Sequence, residues 1–216
     1  YDEEAGTLTL SDVELDTPNP SNGYGLSTDL LSLTIILEGT NRIGAQTMNS
    51  GIYSRGILVI QGPGSLEVTG LDSGIYASGV TVKDCTLTAR ATEANHTGAI
   101  CSSSSDVILE GSTVTASASG TGACGIRSNN SFGSVTVESS TVQALGEGPD
   151  SCGIYSSSTV SLTDSTVSAS GESCGIRAFY LLEVASGSTV SASGNTAALW
   201  VSSSYSEDSS IRPVSD

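Results

Sequence analysis

The sequence has few positively charged residues, with seven Lys and Arg against 23 Asp and Glu, and its formal net charge is -16. Such an acidic surface repels a phosphate backbone, so nucleic acid is excluded as a partner. Long hydrophobic runs are also lacking. The longest, at residues 30–37, is far shorter than the roughly 20 residues that span a bilayer, so we expect no transmembrane segment.

Residues that usually carry out catalysis are scarce or scattered. The one histidine, His96, lies in a polar insertion with no Ser, Cys or acid patterned around it. Acids occur mostly once per repeat, and Asp84 and Asp164 share a turn position where a side chain usually bonds to its own backbone. No D-x-D-x-D-G loop supports calcium. We therefore predict no enzyme activity, no catalytic residue, no metal site and no cofactor.

What the sequence does contain is a repeat. The phrase S-C-G-I-Y at Ser151 returns as S-C-G-I-R at Ser173, and related phrases recur every 22 to 28 residues. Its first half begins at Gly25, Gly51, Gly74, Gly98, Gly125, Gly153, Gly175 and, degenerately, Ala197. Its second half, such as V-S-L-T-D-S-T-V, begins at Leu8, Val80, Val107, Val135 and Val160.

Within each repeat, apolar residues alternate with Ser, Thr or charged residues, which indicates short strands and no helices. One copy cannot fold alone, because ordering it costs on the order of 25 kcal/mol while its buried aliphatic side chains return roughly 10 kcal/mol. Stacked copies pair their strands in parallel. The sequence therefore predicts an all-β fold, a right-handed parallel β-helix (β-solenoid) of about eight coils.

The same alternation predicts which residues stack into ladders. With the Ile of each Gly-Ile pointing inward, Cys124, Cys152 and Cys174 fall on the inward side and should stack inside the coil as small buried hydrophobes. A disulfide or a metal site is the alternative, but the sequence has no C-x-x-C motif and no histidine near these cysteines, and their number is odd. Cys85 takes the place of a serine in a further ladder formed by Ser112, Ser140, Ser165 and Ser188.

Outward positions are where a solenoid contacts its partners. The residue after Gly-Ile gives one outward row, predicted as Tyr53, Tyr76, Ile100, Arg127, Tyr155, Arg177 and Leu199. Flat rings and guanidinium groups in line suit a polysaccharide, because Tyr faces contact sugar C–H groups and Arg binds uronate carboxylates in bidentate fashion. The predicted ligand-binding residues are Tyr53, Tyr76, Arg127, Tyr155 and Arg177. Mutual support of stacked rings and guanidinium groups is the alternative.

A second outward row repeats T-x-T or a variant of it. It resembles the ice-binding face of certain β-solenoid antifreeze proteins, although ordinary sheet surface explains it as well. The row comprises Thr86-x-Thr88, Thr113-x-Thr115, Thr141-x-Gln143, Thr166-x-Ser168 and Thr189-x-Ser191.

Over residues 7 to 200 the Gly-Ile-x, strand, turn, S/G-T-V/L-x-A cycle resembles the pectate-lyase-like β-helix modules of surface proteins from clostridia and other gut Firmicutes. Some of these are carbohydrate-binding modules, and the resemblance implies a bacterial, secreted or cell-surface location and a surface glycan or polysaccharide as partner. An Asp that often precedes Gly-Ile in the binding members is replaced here, for example by Ser50 and Cys152. That difference argues against calcium.

We expect residues 1–216 to form a single solenoid domain, with regular coils over about 7–200 and a tail or cap at 201–216. The chain is expected to be part of a larger surface protein with neighbouring domains. The function predicted is a non-catalytic extracellular module that binds carbohydrate or acts as an adhesin. The alternative is a structural spacer, and a polysaccharide lyase or hydrolase and an ice-binding protein are less favoured.

Overall fold

The computed structural model describes residues 2, 4–16, 23–44, 49–202 and 211–214, the last range as backbone only. It is all-β, and each coil contributes one strand to each of three sheets. Sheet 1 contains β1 (Thr7–Ser11), β4 (Ser32–Glu38), β7 (Ile57–Gln61), β10 (Gly79–Lys83), β13 (Val107–Glu110), β16 (Val135–Glu138), β19 (Thr159–Thr163), β22 (Leu181–Ala185) and β25 (Ile211–Val214). Sheet 2 contains β2 (Glu14–Leu15), β5 (Thr40–Gly44), β8 (Ser65–Gly70), β11 (Thr86–Ala91), β14 (Thr113–Ser119), β17 (Thr141–Glu147), β20 (Thr166–Gly171) and β23 (Thr189–Ser193). Sheet 3 contains β3 (Tyr24–Thr28), β6 (Ser50–Ser54), β9 (Ser73–Ala77), β12 (Gly98–Ser102), β15 (Cys124–Ser128), β18 (Cys152–Ser156), β21 (Cys174–Ala178) and β24 (Ala197–Val201).

Every pair of neighbouring strands within these sheets is parallel, and each strand pairs with its equivalent one coil away. The predicted β-solenoid is confirmed, with about seven complete turns from the first coil to the last. The inward aliphatic residues stack in register. One such ladder contains Leu33, Leu58, Val80, Val107, Val135, Val160 and Leu182. All seven are buried, so the core is a column of aliphatic side chains between the three sheets.

The serine ladder predicted from the S-T-V motif lies at the turn between sheets 1 and 2. Ser140 Oγ donates to the backbone O of Glu138 at 2.7 Å and accepts from the backbone N of Ser112 at 3.1 Å. Ser165 repeats the arrangement and accepts from the Ser140 N–H at 3.1 Å. Cys85 belongs to this ladder, as predicted, because its N–H donates to Ser112 Oγ. Each hydroxyl therefore links its own turn to the preceding coil.

In every coil, a residue one to three positions before the sheet 2 strand has a positive φ. Asp84 and Asp164 have φ of 51° and 47°, and Gly111 has φ of 57°. Asp and Gly tolerate this region better than most residues. The full set is Asp12, Gly39, Gly62, Asp84, Gly111, Ser139, Asp164 and Gly187. The recurring acids at this corner thus have a conformational role.

The Gly of Gly-Ile lies where sheet 2 turns into sheet 3. A Cβ on Gly125 would lie 2.7 Å from the backbone N of Leu145 and 2.8 Å from the backbone O of Ala116. Both atoms belong to strands of sheet 2, so no side chain fits between the two sheets there. This close approach explains why Gly precedes Ile in the repeat.

The C-terminal segment predicted to be a tail or cap contributes β25, which pairs with β22 at the end of sheet 1. Residues 203–210 and 215–216 of that segment lie outside the described residues. Over the part of the chain that the structure describes, no helix is long and apolar enough to cross a membrane.

Candidate functional site

The five predicted ligand-binding residues lie in one outward row on sheet 3, here called the Tyr/Arg ladder. In register order it consists of Tyr53, Tyr76, Cys101, Arg127, Tyr155, Arg177 and Trp200. The structure therefore brings Tyr53, Tyr76, Arg127, Tyr155 and Arg177 together on one face. Whether they bind a ligand stays a prediction.

Two positions assigned to this row from the sequence are wrong. Ile100 is fully buried and pairs with Ile75 and Ile126, so Cys101 occupies the ladder position. Leu199 pairs with Ile176, and Trp200 stands in the ladder instead. The reason is the same in both coils: the large aliphatic side chain takes the inward position, and the register follows it.

The first part of the ladder is a stack of Tyr53 and Tyr76, which Tyr24, from the start of β3, extends by one ring. The Tyr24 and Tyr53 ring centroids are 4.5 Å apart and nearly parallel, and those of Tyr53 and Tyr76 are 6.0 Å apart with an angle of 4°. Burial, reinforced by the neighbouring Cys101 thiol, raises the pKa of Tyr76. Because these rings stack on one another, their faces are already in contact and help to hold successive strands of sheet 3 together.

The second part alternates guanidinium groups with rings. Arg127 Cζ lies 4.3 Å from the Tyr155 centroid, and Arg177 Cζ lies 4.1 Å from the Trp200 centroid and 5.8 Å from that of Tyr155. Phe179 joins this group, with its centroid 5.0 Å from Arg177 Cζ and 5.7 Å from the Tyr155 centroid. The rings thus hold both guanidinium groups in fixed positions by cation–π contact.

Neither arginine forms an ion pair with any described carboxylate. Arg127 donates to Asn129 Oδ1, to the backbone O of Gly122 and to Cys124 Sγ. The Arg177 Nε is buried and has no hydrogen-bond partner among the described residues. The cations that are paired are Arg42 with Glu14 and Asp16, Arg55 with Asp29, and Lys83 with Glu110. An acidic chain thus keeps two guanidinium groups unneutralised on one face.

The cysteine ladder lies beneath the second part of the Tyr/Arg ladder. Cys124, Cys152 and Cys174 are buried, as predicted, but their placement inside the coil is wrong. They form a cluster separate from the main core, with Tyr155 and Trp200 packed against it. The glycine after each cysteine occupies the close approach to sheet 2, which breaks the alternation and leaves the thiol on the side of the ladder.

All five cysteines are free thiols. The surroundings of Cys101, Cys124 and Cys152 shift the pKa values of these three thiols, and not all in the same direction. A hydrogen bond from Cys152, helped by the charge and hydrogen bond of Arg127, lowers the pKa of Cys124 to about 7. Sharing that hydrogen bond with Cys124, together with burial, raises the pKa of Cys152. Burial raises the pKa of Cys101 to about 12.

An open groove of about 610 Å³ borders the second part of the ladder. Its lining includes Phe132, Tyr155, Phe179 and Tyr180, with Ser157 and Ser158 between them. Sequence reasoning found only Tyr155 of these. A signal was present: the chain has just two phenylalanines, and both are here, next to positions where sheet 3 turns into sheet 1.

The T-x-T row is also in register, on the outward side of sheet 2. Thr86, Thr113, Thr141, Thr166 and Thr189 are aligned, and the row two residues on contains Thr88, Thr115, Gln143, Ser168 and Ser191. The substitutions in the second row interrupt its regularity. Within the described ranges, no group of three or more His, Cys, Asp or Glu side chains is arranged to hold a metal ion.

Comparison of the chain with protein-family models, with curated proteins and with solved structures finds no match in any of the three.

Proposed function

We propose that this chain is a non-catalytic module, displayed outside the cell or on its surface, that binds carbohydrate through the Tyr/Arg ladder. A polysaccharide or surface glycan is its partner, and adhesion to such a surface is its role. The resemblance of the repeat to pectate-lyase-like modules of bacterial surface proteins supports the same ligand class.

The observation that carries the proposal is the state of Arg177. Its guanidinium is positioned by Tyr155, Phe179 and Trp200, yet among the described residues it has no ion pair and its Nε has no hydrogen-bond partner. A guanidinium held in this way has already lost much of its side-chain freedom, so it binds an anion or a sugar hydroxyl at a smaller entropic cost. Aromatic rings beside it offer faces to sugar C–H groups.

The test is binding of the purified chain to a panel of plant and host polysaccharides, with and without calcium, with the mixtures assayed for unsaturated or reducing-end products. We expect saturable binding without product. Changing Tyr155→Ala together with Arg177→Ala should weaken it by at least about tenfold, equal to about 1.4 kcal/mol. Thr166→Ala, an exposed change on sheet 2, is the matched control and should leave the affinity unchanged.

Formation of product would contradict the non-catalytic assignment. Absence of binding to every glycan would contradict carbohydrate recognition and favour the second candidate, a structural spacer in a surface protein. The stacked Tyr24, Tyr53 and Tyr76 favour that candidate, because their rings contact one another from coil to coil. For a spacer, the double change at Tyr155 and Arg177 lowers stability only.

A further inference from the structure

The groove beside the ladder is assembled from the turns of three successive coils. Phe132 comes from the turn between β15 and β16, Ser157 and Ser158 from the turn between β18 and β19, and Phe179 and Tyr180 from the turn between β21 and β22. Backbone hydrogen bonds tie neighbouring turns together, including Tyr180 N to Ser158 O at 2.9 Å. The rings are therefore placed by the solenoid itself.

Phe132 has no role in the core. It belongs to the loop of residues 129–134, which is the longest connection from sheet 3 to sheet 1 between Tyr24 and Ala185. Phe132 is 86% exposed. The loop carrying it is nevertheless ordered by bonds from Gly133 N to Asn130 O and from Phe132 N to Asn130 Oδ1. A fixed loop that presents a phenylalanine to solvent is typical of a binding surface.

The chemistry of the groove differs from that of the ladder. Rings and serine hydroxyls line it, and no charged side chain does so. Tyr155 and Phe179 meet edge to face at 68°, and Ser157 Oγ lies 3.5 Å from the Tyr155 hydroxyl. Flat apolar faces with hydroxyl groups between them match a pyranose ring, which has apolar C–H faces and a rim of hydroxyls.

We propose that this groove is a subsite for an uncharged pyranose unit, contiguous with the Tyr/Arg ladder. The inference rests on the proposed carbohydrate-binding function and adds its location and ligand class. Tyr155 belongs to both surfaces, and Arg177 Cζ lies 5.0 Å from the Phe179 ring. A glycan that crosses Tyr155 thus contacts guanidinium groups on one side and the groove on the other. Its volume is within the range of small-ligand sites, roughly 300–1,000 Å³.

The experiment is a titration of the chain with neutral cello-, manno-, galacto- and xylo-oligosaccharides, with binding measured by calorimetry and by saturation-transfer NMR. At least one series should bind. Phe132→Ala and Tyr180→Ala should each weaken that binding by about tenfold, or about 1.4 kcal/mol, while Phe132→Tyr, which keeps the ring, retains it. The control is Leu31→Ala, because Leu31 is an apolar residue that is 90% exposed and lies outside the groove and the ladder.

The outcomes separate the two proposals. Suppose that a neutral oligosaccharide binds, and that Arg177→Ala weakens its binding but Phe132→Ala and Tyr180→Ala do not. The groove subsite is then refuted, and binding by the Tyr/Arg ladder still stands. If only charged glycans bind, the uncharged ligand class is refuted. If no glycan of either kind binds, both proposals fail. Because Phe132 is so exposed, its replacement should leave the thermal unfolding midpoint unchanged, so a loss of affinity reports on the groove itself.

Discussion

Replacing Ser140 by alanine tests whether the serine ladder holds neighbouring coils together. The Ser140 hydroxyl makes two bonds, donating at 2.7 Å to Glu138 O and accepting at 3.1 Å from Ser112 N. The substitution removes both and leaves a buried N–H without a partner. A lost hydrogen bond is worth about 1 kcal/mol, and an unsatisfied buried group costs about 1–3 kcal/mol. We expect the free energy of unfolding to fall by about 2–3 kcal/mol.

The assay is urea unfolding of the whole chain, together with hydrogen exchange of the Ser112 amide, which should become faster. Ser168→Ala is the control, because this serine is exposed on the outward side of sheet 2. Its loss should change stability by less than about 0.5 kcal/mol. If Ser140→Ala were no more destabilising than Ser168→Ala, the ladder would have no energetic role and the reasoning would be refuted.

Two further predictions concern the same corner of the solenoid. Gly111→Ala should lower the free energy of unfolding by at least about 1–2 kcal/mol, because φ at Gly111 is 57° and the added Cβ would lie 2.5 Å from Asp84 Oδ1. Urea unfolding measures this change. An unchanged urea midpoint would contradict the left-handed conformation at this corner. Burial raises the pKa of Cys85 from 9.0 to about 11, so above pH 9 the unfolded thiol releases a proton that the native thiol retains, and stability falls as pH rises towards 11. Cys85→Ser should reduce this loss of stability at high pH by up to about 2–3 kcal/mol. Unfolding curves of both proteins at several alkaline pH values measure it, and an identical pH dependence would contradict the prediction.

Much of the fold could be predicted because each coil repeats the same pattern of inward residues. Parallel pairing in register forces equivalent residues to stack, so the T-x-T row, the serine ladder with Cys85 and five positions of the Tyr/Arg ladder followed from the repeat alone. The period of two also gave the inward aliphatic residues. These features depend on local alternation, which the sequence displays directly.

Three features depend on geometry that alternation does not describe. The thiols of Cys124 and Cys152 face the ladder because the glycine after each one breaks the alternation at a close approach of two sheets. In the degenerate phrase Gly98-Ala99-Ile100, Gly98 aligns with Cys124 and not with Gly125, because Ile100 takes the inward position opposite Ile126. The groove is formed by turns of three coils, whose irregular lengths carry no period.

The most direct test of the proposed function is an NMR titration of the isotopically labelled chain with the tightest glycan found in the binding panel. Carbohydrate recognition by the Tyr/Arg ladder predicts that the side-chain signals of Tyr155, Arg177 and Trp200 shift in a saturable manner, while those of Thr113 and Thr166 on sheet 2 do not. Shifts confined to sheet 2, with the ladder signals unchanged, would contradict the proposal.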